Sequence, residues 1–116
     1  MNDVSKTITY NGRTYRIVFN LNVMEAIQEE YKTIQNWGNL TDGGENGEPD
    51  AKAVIFGVAA MINEGIDIDN EENGTDIKPL TLKQVGRLIT AVGFDEAAKQ
   101  MKDTVIESTE STEKNA

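Results

Sequence analysis

The dipeptide Asn11-Gly12 constrains the fold of this chain more than any other feature. It is the pair that best tolerates the positive φ angles of a type I′ turn, so it predicts a tight hairpin. The flanks alternate as strands do, with Ile8 and Tyr10 before the turn and Tyr15, Ile17 and Phe19 after it. A minimal loop sets Tyr10 opposite Arg13 and Ile8 opposite Tyr15, which gathers the apolar side chains on one face. Thr7, Thr9, Thr14 and Arg16 take the other face, which suits water. A lone hairpin is marginal in water, so its apolar face must pack on later parts of the chain.

Those later parts read as helices. Asn22 with Glu25 has the form of a capping box, and Val23, Met24, Ile27, Tyr31 and Ile34 recur at helical spacing. From about Asn36 to Asp50 the pattern is lost among Gly38, Gly43, Gly44, Gly47 and Pro49, which predicts a long mobile loop with Trp37 at its start. A second helix is expected from about Pro49 to Asn63, capped by Gly65. Its segment AKAVIFGVAAMI is apolar nearly all round, which marks either the central helix of a small bundle or a helix with an interaction face. An acidic loop, Ile66 to Pro79, leads to a third helix with Thr81 and Gln84 as its capping box, Leu82, Val85, Leu88, Ile89 and Val92 as its stripe, and Gly93 as its end. A last helix starts near Asp95, with Phe94, Ala97, Ala98, Met101 and Val105 as a thinner apolar face. The expected fold is α+β and mainly α: one domain over residues 1–106, an N-terminal β-hairpin followed by about four helices in a small bundle, then a disordered tail over 107–116.

Composition narrows the function classes. Against 11 basic residues stand 20 acidic ones, a net charge of -9. Phosphate binding needs a basic footprint, so no nucleic acid partner is expected, and no anionic membrane surface. With no His and no Cys, disulfides, thiolate chemistry, the usual zinc sites and the commonest general base are all missing. No signal peptide is visible, and the apolar run Ala53 to Ile62 is far short of the roughly 18 residues a spanning helix needs, so a cytoplasmic protein is expected. Asp67, Asp69 and Glu71 alternate like the first ligands of an EF-hand, but neither register places both the sixth-position Gly and the twelfth-position Glu. Glu25, Glu29 and Glu30 lie on a helix without a nucleophile or basic clamp and read as a polar face. No enzyme, cofactor or metal site is expected.

Three strings in a fixed order give the chain a family likeness: TITYNGRTYRIVFNLNVMEAIQEEY (Thr7 to Tyr31), AAMINEGIDIDNE (Ala59 to Glu71) and TLKQVGRLI (Thr81 to Ile89). With them the chain resembles the tail assembly chaperones of long-tailed bacteriophages and of prophages of Gram-positive bacteria, over about Thr7 to Met101. The resemblance implies a hairpin followed by helices and a protein absent from the mature virion. It implies binding in the host cytoplasm to the long, helical, apolar tape measure protein, which is kept soluble during tail morphogenesis, and recruitment of the tail tube protein. Many members of that family also have an extended form made by ribosomal frameshifting, and self-association around the tape is part of the family picture. The family has no catalytic motif and no cofactor. The alternative reading is a small structural phage tail or head-tail connector protein; a third is a regulatory adaptor unrelated to phage. The partner-binding residues expected from surplus apolar surface are Tyr31, Ile34 and Trp37 at the end of the first helix, with Phe56 and Met61 on the second. Trp37, at a helix-to-loop junction, reads first as a cover over the edge of the core and second as a partner contact.

Overall fold

The computed structural model describes residues 6–43 and 47–114, with side chains as far as residue 109. Gly44 of the expected loop and the last two residues of the expected tail lie outside the described residues. The protein is mainly α with a small β part. The hairpin β1 (Lys6–Tyr10) and β2 (Arg13–Ile17) is followed by α1 (Leu21–Tyr31), α2 (Ile34–Thr41), α3 (Ala51–Asn73), α4 (Leu82–Val92) and α5 (Phe94–Lys114).

The hairpin forms as its turn dictates. Asn11 and Gly12 take φ of 54° and 73°, and the antiparallel register pairs Tyr10 with Arg13 and Ile8 with Tyr15. Ile8 and Ile17 are buried, while Thr7, Thr9 and Thr14 face water. Arg16 departs from that pattern. It is half-buried, and its Nη1 donates to Asp69 Oδ1 at 2.8 Å, with Glu72 Oε1 at 3.9 Å.

The apolar face of the hairpin lies on α3, the central helix that the all-round apolar segment implied. Ala53, Val54, Val58, Ala59, Met61, Ile62 and Ile66 of α3 are buried against Ile8, Ile17, Val23, Ile27, Val85, Leu88, Ile89 and Met101 from the surrounding elements. Two glycines allow this close packing. A Cβ on Gly65 would meet the Arg16 carbonyl oxygen at 2.5 Å, and one on Gly57 would meet Met101 Sδ at 2.7 Å and press still harder on the Trp37 ring. The hairpin is also tied to the helix backbone, since Val18 N–H donates to the Met61 carbonyl at 3.3 Å.

Among the described residues five helices form where about four were expected. The stretch from Asn36 was expected as loop, yet Ile34–Thr41 is helical. Lys32 breaks α1 with a left-handed φ of 74°, and Thr33 restarts the chain as an N-cap whose Oγ1 accepts from Asn36 N–H. Trp37 anchors the new helix, so tertiary burial outweighs a glycine-rich local signal. The cap of α1 also moves. Asn20 rather than Asn22 accepts from Val23 N–H, and both Asn amides donate to Glu64 Oε2 on α3, which fixes the earlier start.

The end of α3 is the largest correction. Gly65 is not a C-cap but an interior contact, and the helix runs on through the expected acidic loop to Asn73, where Gly74 caps it at φ 67°. Asp69 and Glu72 stand on the final turns of this helix, where Arg16 holds them. Thr81 and Gln84 form the predicted capping box of α4, and Gly93 ends that helix. The boundary expected at residue 106 is no break either. α5 continues through it to Lys114, with Glu107 paired to Lys6 at 3.1 Å and Ser108 Oγ donating to the Phe19 carbonyl at 3.1 Å.

Candidate functional site

An apolar groove of about 490 Å³ lies between α3 and α4. Ile55 and Phe56 of α3 and Leu82 and Gly86 of α4 line it, with Glu30, Lys52 and Lys83 at its rim. Leu82 is 57% exposed, the first residue of the α4 stripe to project beyond the core that Val85, Leu88 and Ile89 fill. Lys52 Nζ lies 3.6 Å from Glu30 Oε2, an exposed pair that closes one end of the groove and contributes little to stability.

Two asparagines set the walls at their spacing. Asn63 and Asn70 stand two turns apart on one side of α3. Asn63 pairs with both backbone groups of Leu80 at 3.1 and 2.8 Å, and Asn70 pairs with both backbone groups of Ile77 at 2.9 and 3.0 Å. The amides stand in for a neighbouring strand, so the segment that delivers α4 is pinned along α3.

The five residues expected to bind a partner divide. Phe56 lines the groove, and Tyr31 packs edge-on against it with ring centroids 5.7 Å apart. Ile34 is half-buried against the core. Trp37 and Met61 are 3% and 0% exposed, which makes them core residues with no surface to offer. The Trp37 Nε1–H donates to the Ala53 carbonyl at 2.9 Å, so its polar atom is satisfied inside the protein. The apolar perimeter of the central helix is thus covered from several sides, by β2, α1 and α4 and, to a smaller extent, by the unforeseen α2 and by α5. Sequence reasoning missed Ile55, Leu82 and Gly86 as groove residues. The signal for Gly86 was available: a glycine inside a well-capped amphipathic helix costs stability and asks for a reason.

Charge is unevenly distributed around the groove. α1 carries Glu25, Glu29 and Glu30 with no basic residue, whereas α4 carries Lys83 and Arg87 with no acidic one. Neither Lys83 nor Arg87 makes an ion pair among the described residues. The Tyr31 hydroxyl is buried without a hydrogen-bond partner among the described residues. Burial, then the charges of Asp50 and Glu30, push its pKa above the ordinary 10.0.

Among the described residues no three His, Cys, Asp or Glu side chains stand close enough to hold a metal ion, and no helix is long and apolar enough to cross a membrane. No family model, no curated protein and no solved structure matches the chain.

Proposed function

We propose that this protein is a holding chaperone, specifically a phage tail assembly chaperone that binds the tape measure protein and keeps it soluble in the host cytoplasm during tail morphogenesis. The observation that carries this reading is the α3–α4 groove, an open apolar trough with charged rims on an otherwise acidic protein. Its walls are helix faces, whose backbone groups are spent within the helices, so an incoming segment must satisfy its own backbone. A helix does that, and laying an amphipathic helix into an apolar groove is a general mode of recognition. The tape measure protein of a long tail is a long apolar helical chain of that kind. The net charge of -9 suits the solubilising side of the role. Recruitment of the tail tube protein would then result from the chaperone bound along the tape, without an enzymatic step.

Co-expression with the tape measure gene product tests the proposal. The tape is expected in the soluble fraction, and the two proteins are expected to purify together. A tape that is equally soluble alone, with no complex recovered, would reject the reading. Mass spectrometry of purified virions separates it from a structural tail or connector protein: the chain should be absent from particles, and a stoichiometric amount there would favour the structural role.

A further inference from the structure

We infer that the α3–α4 groove docks a single amphipathic helix that sets a large apolar side chain over Gly86 and turns an acidic flank toward α4. The inference rests on the partner-binding reading above and specifies which surface is used and what chemistry it selects.

Gly86 is the decisive residue. Three glycines lie inside α3 and α4, and internal packing requires only two of them. Gly57 and Gly65 admit the Trp37 ring, Met101 and the Arg16 carbonyl at distances no Cβ could share. A Cβ on Gly86 would meet only Ile55 Cδ1, at an ordinary 3.7 Å. The fold does not need Gly86, yet a helix-interior glycine is less stable than alanine. What the missing side chain does is keep the floor of the groove open between Ile55, Phe56 and Leu82.

Charge selects the flank. α4 is the one described helix whose charges are all positive, in a chain of net charge -9. Lys83 stands at the groove rim, Arg87 comes one turn later on the same helix, and both are exposed and unpaired among the described residues. A helix with carboxylates along that edge gains a direct complementary contact at Lys83, while Arg87, which lines a neighbouring cleft with Tyr10, Tyr15 and Gln84, adds positive potential from beyond the rim. One with lysines there meets the like charge of Lys83 and the positive potential of Arg87 behind it, which disfavours it by several-fold in affinity. On the opposite side Glu30 is already paired to Lys52, so it makes the smaller demand on the ligand.

Two substitutions and a pair of probes test the inference. Gly86→Phe fills the groove floor, and Leu82→Asp places a charge on its exposed wall; neither side chain is used by the core. Both variants should melt close to the wild type while copurification of co-expressed tape measure protein falls about tenfold or more. Two synthetic helical peptides share one Leu/Phe stripe and differ only in Glu or Lys flanks. The Glu-flanked peptide should bind the wild-type chain more tightly, less so at high salt, and the preference should reverse in the Lys83→Glu, Arg87→Glu double variant. Undiminished binding of tape and peptide to Gly86→Phe and Leu82→Asp would overturn the groove assignment. Preference for the Lys-flanked peptide would overturn the acidic flank. A concentration-dependent dimer of the chain alone, lost in Gly86→Phe, would replace the partner helix with a second copy. If the wild-type chain fails to solubilise the tape but takes the Glu-flanked peptide in the groove, the chaperone reading falls and the docking inference stands. If Gly86→Phe still solubilises the tape, the reverse holds.

Discussion

Among the described residues the buried Tyr31 hydroxyl has no hydrogen-bond partner, while its ring makes a productive edge contact with Phe56. Tyr31→Phe should therefore raise stability by about 1 kcal/mol, because it removes an unsatisfied polar atom and keeps the ring. Urea titration of both proteins measures this. The same residue gives the protein a pH dependence. Its folded pKa lies above the unfolded 10.0, so the stability it carries is present below that pH and drains away as pH rises through the folded value. Urea midpoints taken from neutral to strongly alkaline pH should fall less steeply for Tyr31→Phe. Glycines give opposite signs at neighbouring sites. Gly86→Ala should stabilise by about 1 kcal/mol through helix propensity alone. Gly57→Ala should destabilise by about 1–3 kcal/mol, as Trp37 and Met101 have no room to retreat. At this scale the sequence was readable where chemistry is local, as at Asn11-Gly12, Thr81 and Gln84. At Trp37 it left core cover and partner contact both open, and the choice of core cover is made by a carbonyl sixteen residues along the chain.

Among the elements, the hairpin and α4 were legible because each carries its own start and stop signals. The segment Ile34–Thr41 was not, since its two-residue break at Lys32 and Thr33 has no glycine or proline to mark it, and Gly38 and Asn39 weaken its helical pattern. The last turns of α3 were hidden for a related reason. Their Asp and Asn residues have poor intrinsic preference for helix and are held there by tertiary partners, Arg16 on one side and the loop clasped by Asn70 on another. The groove was invisible from the sequence because it lies between two helices whose relative placement depends on Asn63 and Asn70. Asn63→Ala should cost about 1–3 kcal/mol by leaving the part-buried N–H and carbonyl of Leu80 unpaired. It should also loosen α4 against α3, which amide exchange would register as lost protection in the segment from Ile77 to Thr81. Thr81→Ala, which removes one half of the capping box, should cost about 1 kcal/mol without that loss of register.

For the molecule as a whole, sequence and structure agree on one small core and disagree on where it stops. Removing residues 107–116 should lower stability by about 1 kcal/mol, chiefly through the Ser108 bond to the Phe19 carbonyl, since the exposed Lys6–Glu107 pair adds little. Thermal melts of the full and shortened chains settle this; equal melting would mean that the end of α5 is not part of the cooperative unit. The arrangement of charge at this scale comes from the element charges, with an acidic α1 and α5 set against a basic α4. That polarity would be hard to see in the net figure of -9 alone. The buried indole adds an optical property to the molecule. Trp37 is the chain's single tryptophan, its ring lies over Gly57, and its N–H is bonded within the core, well inside the surface that a partner would touch. The protein therefore carries its own optical gauge: blue-shifted emission should mark the intact core and red-shift on unfolding, while staying nearly unchanged as the groove fills, so that stability and docking are read separately from one sample.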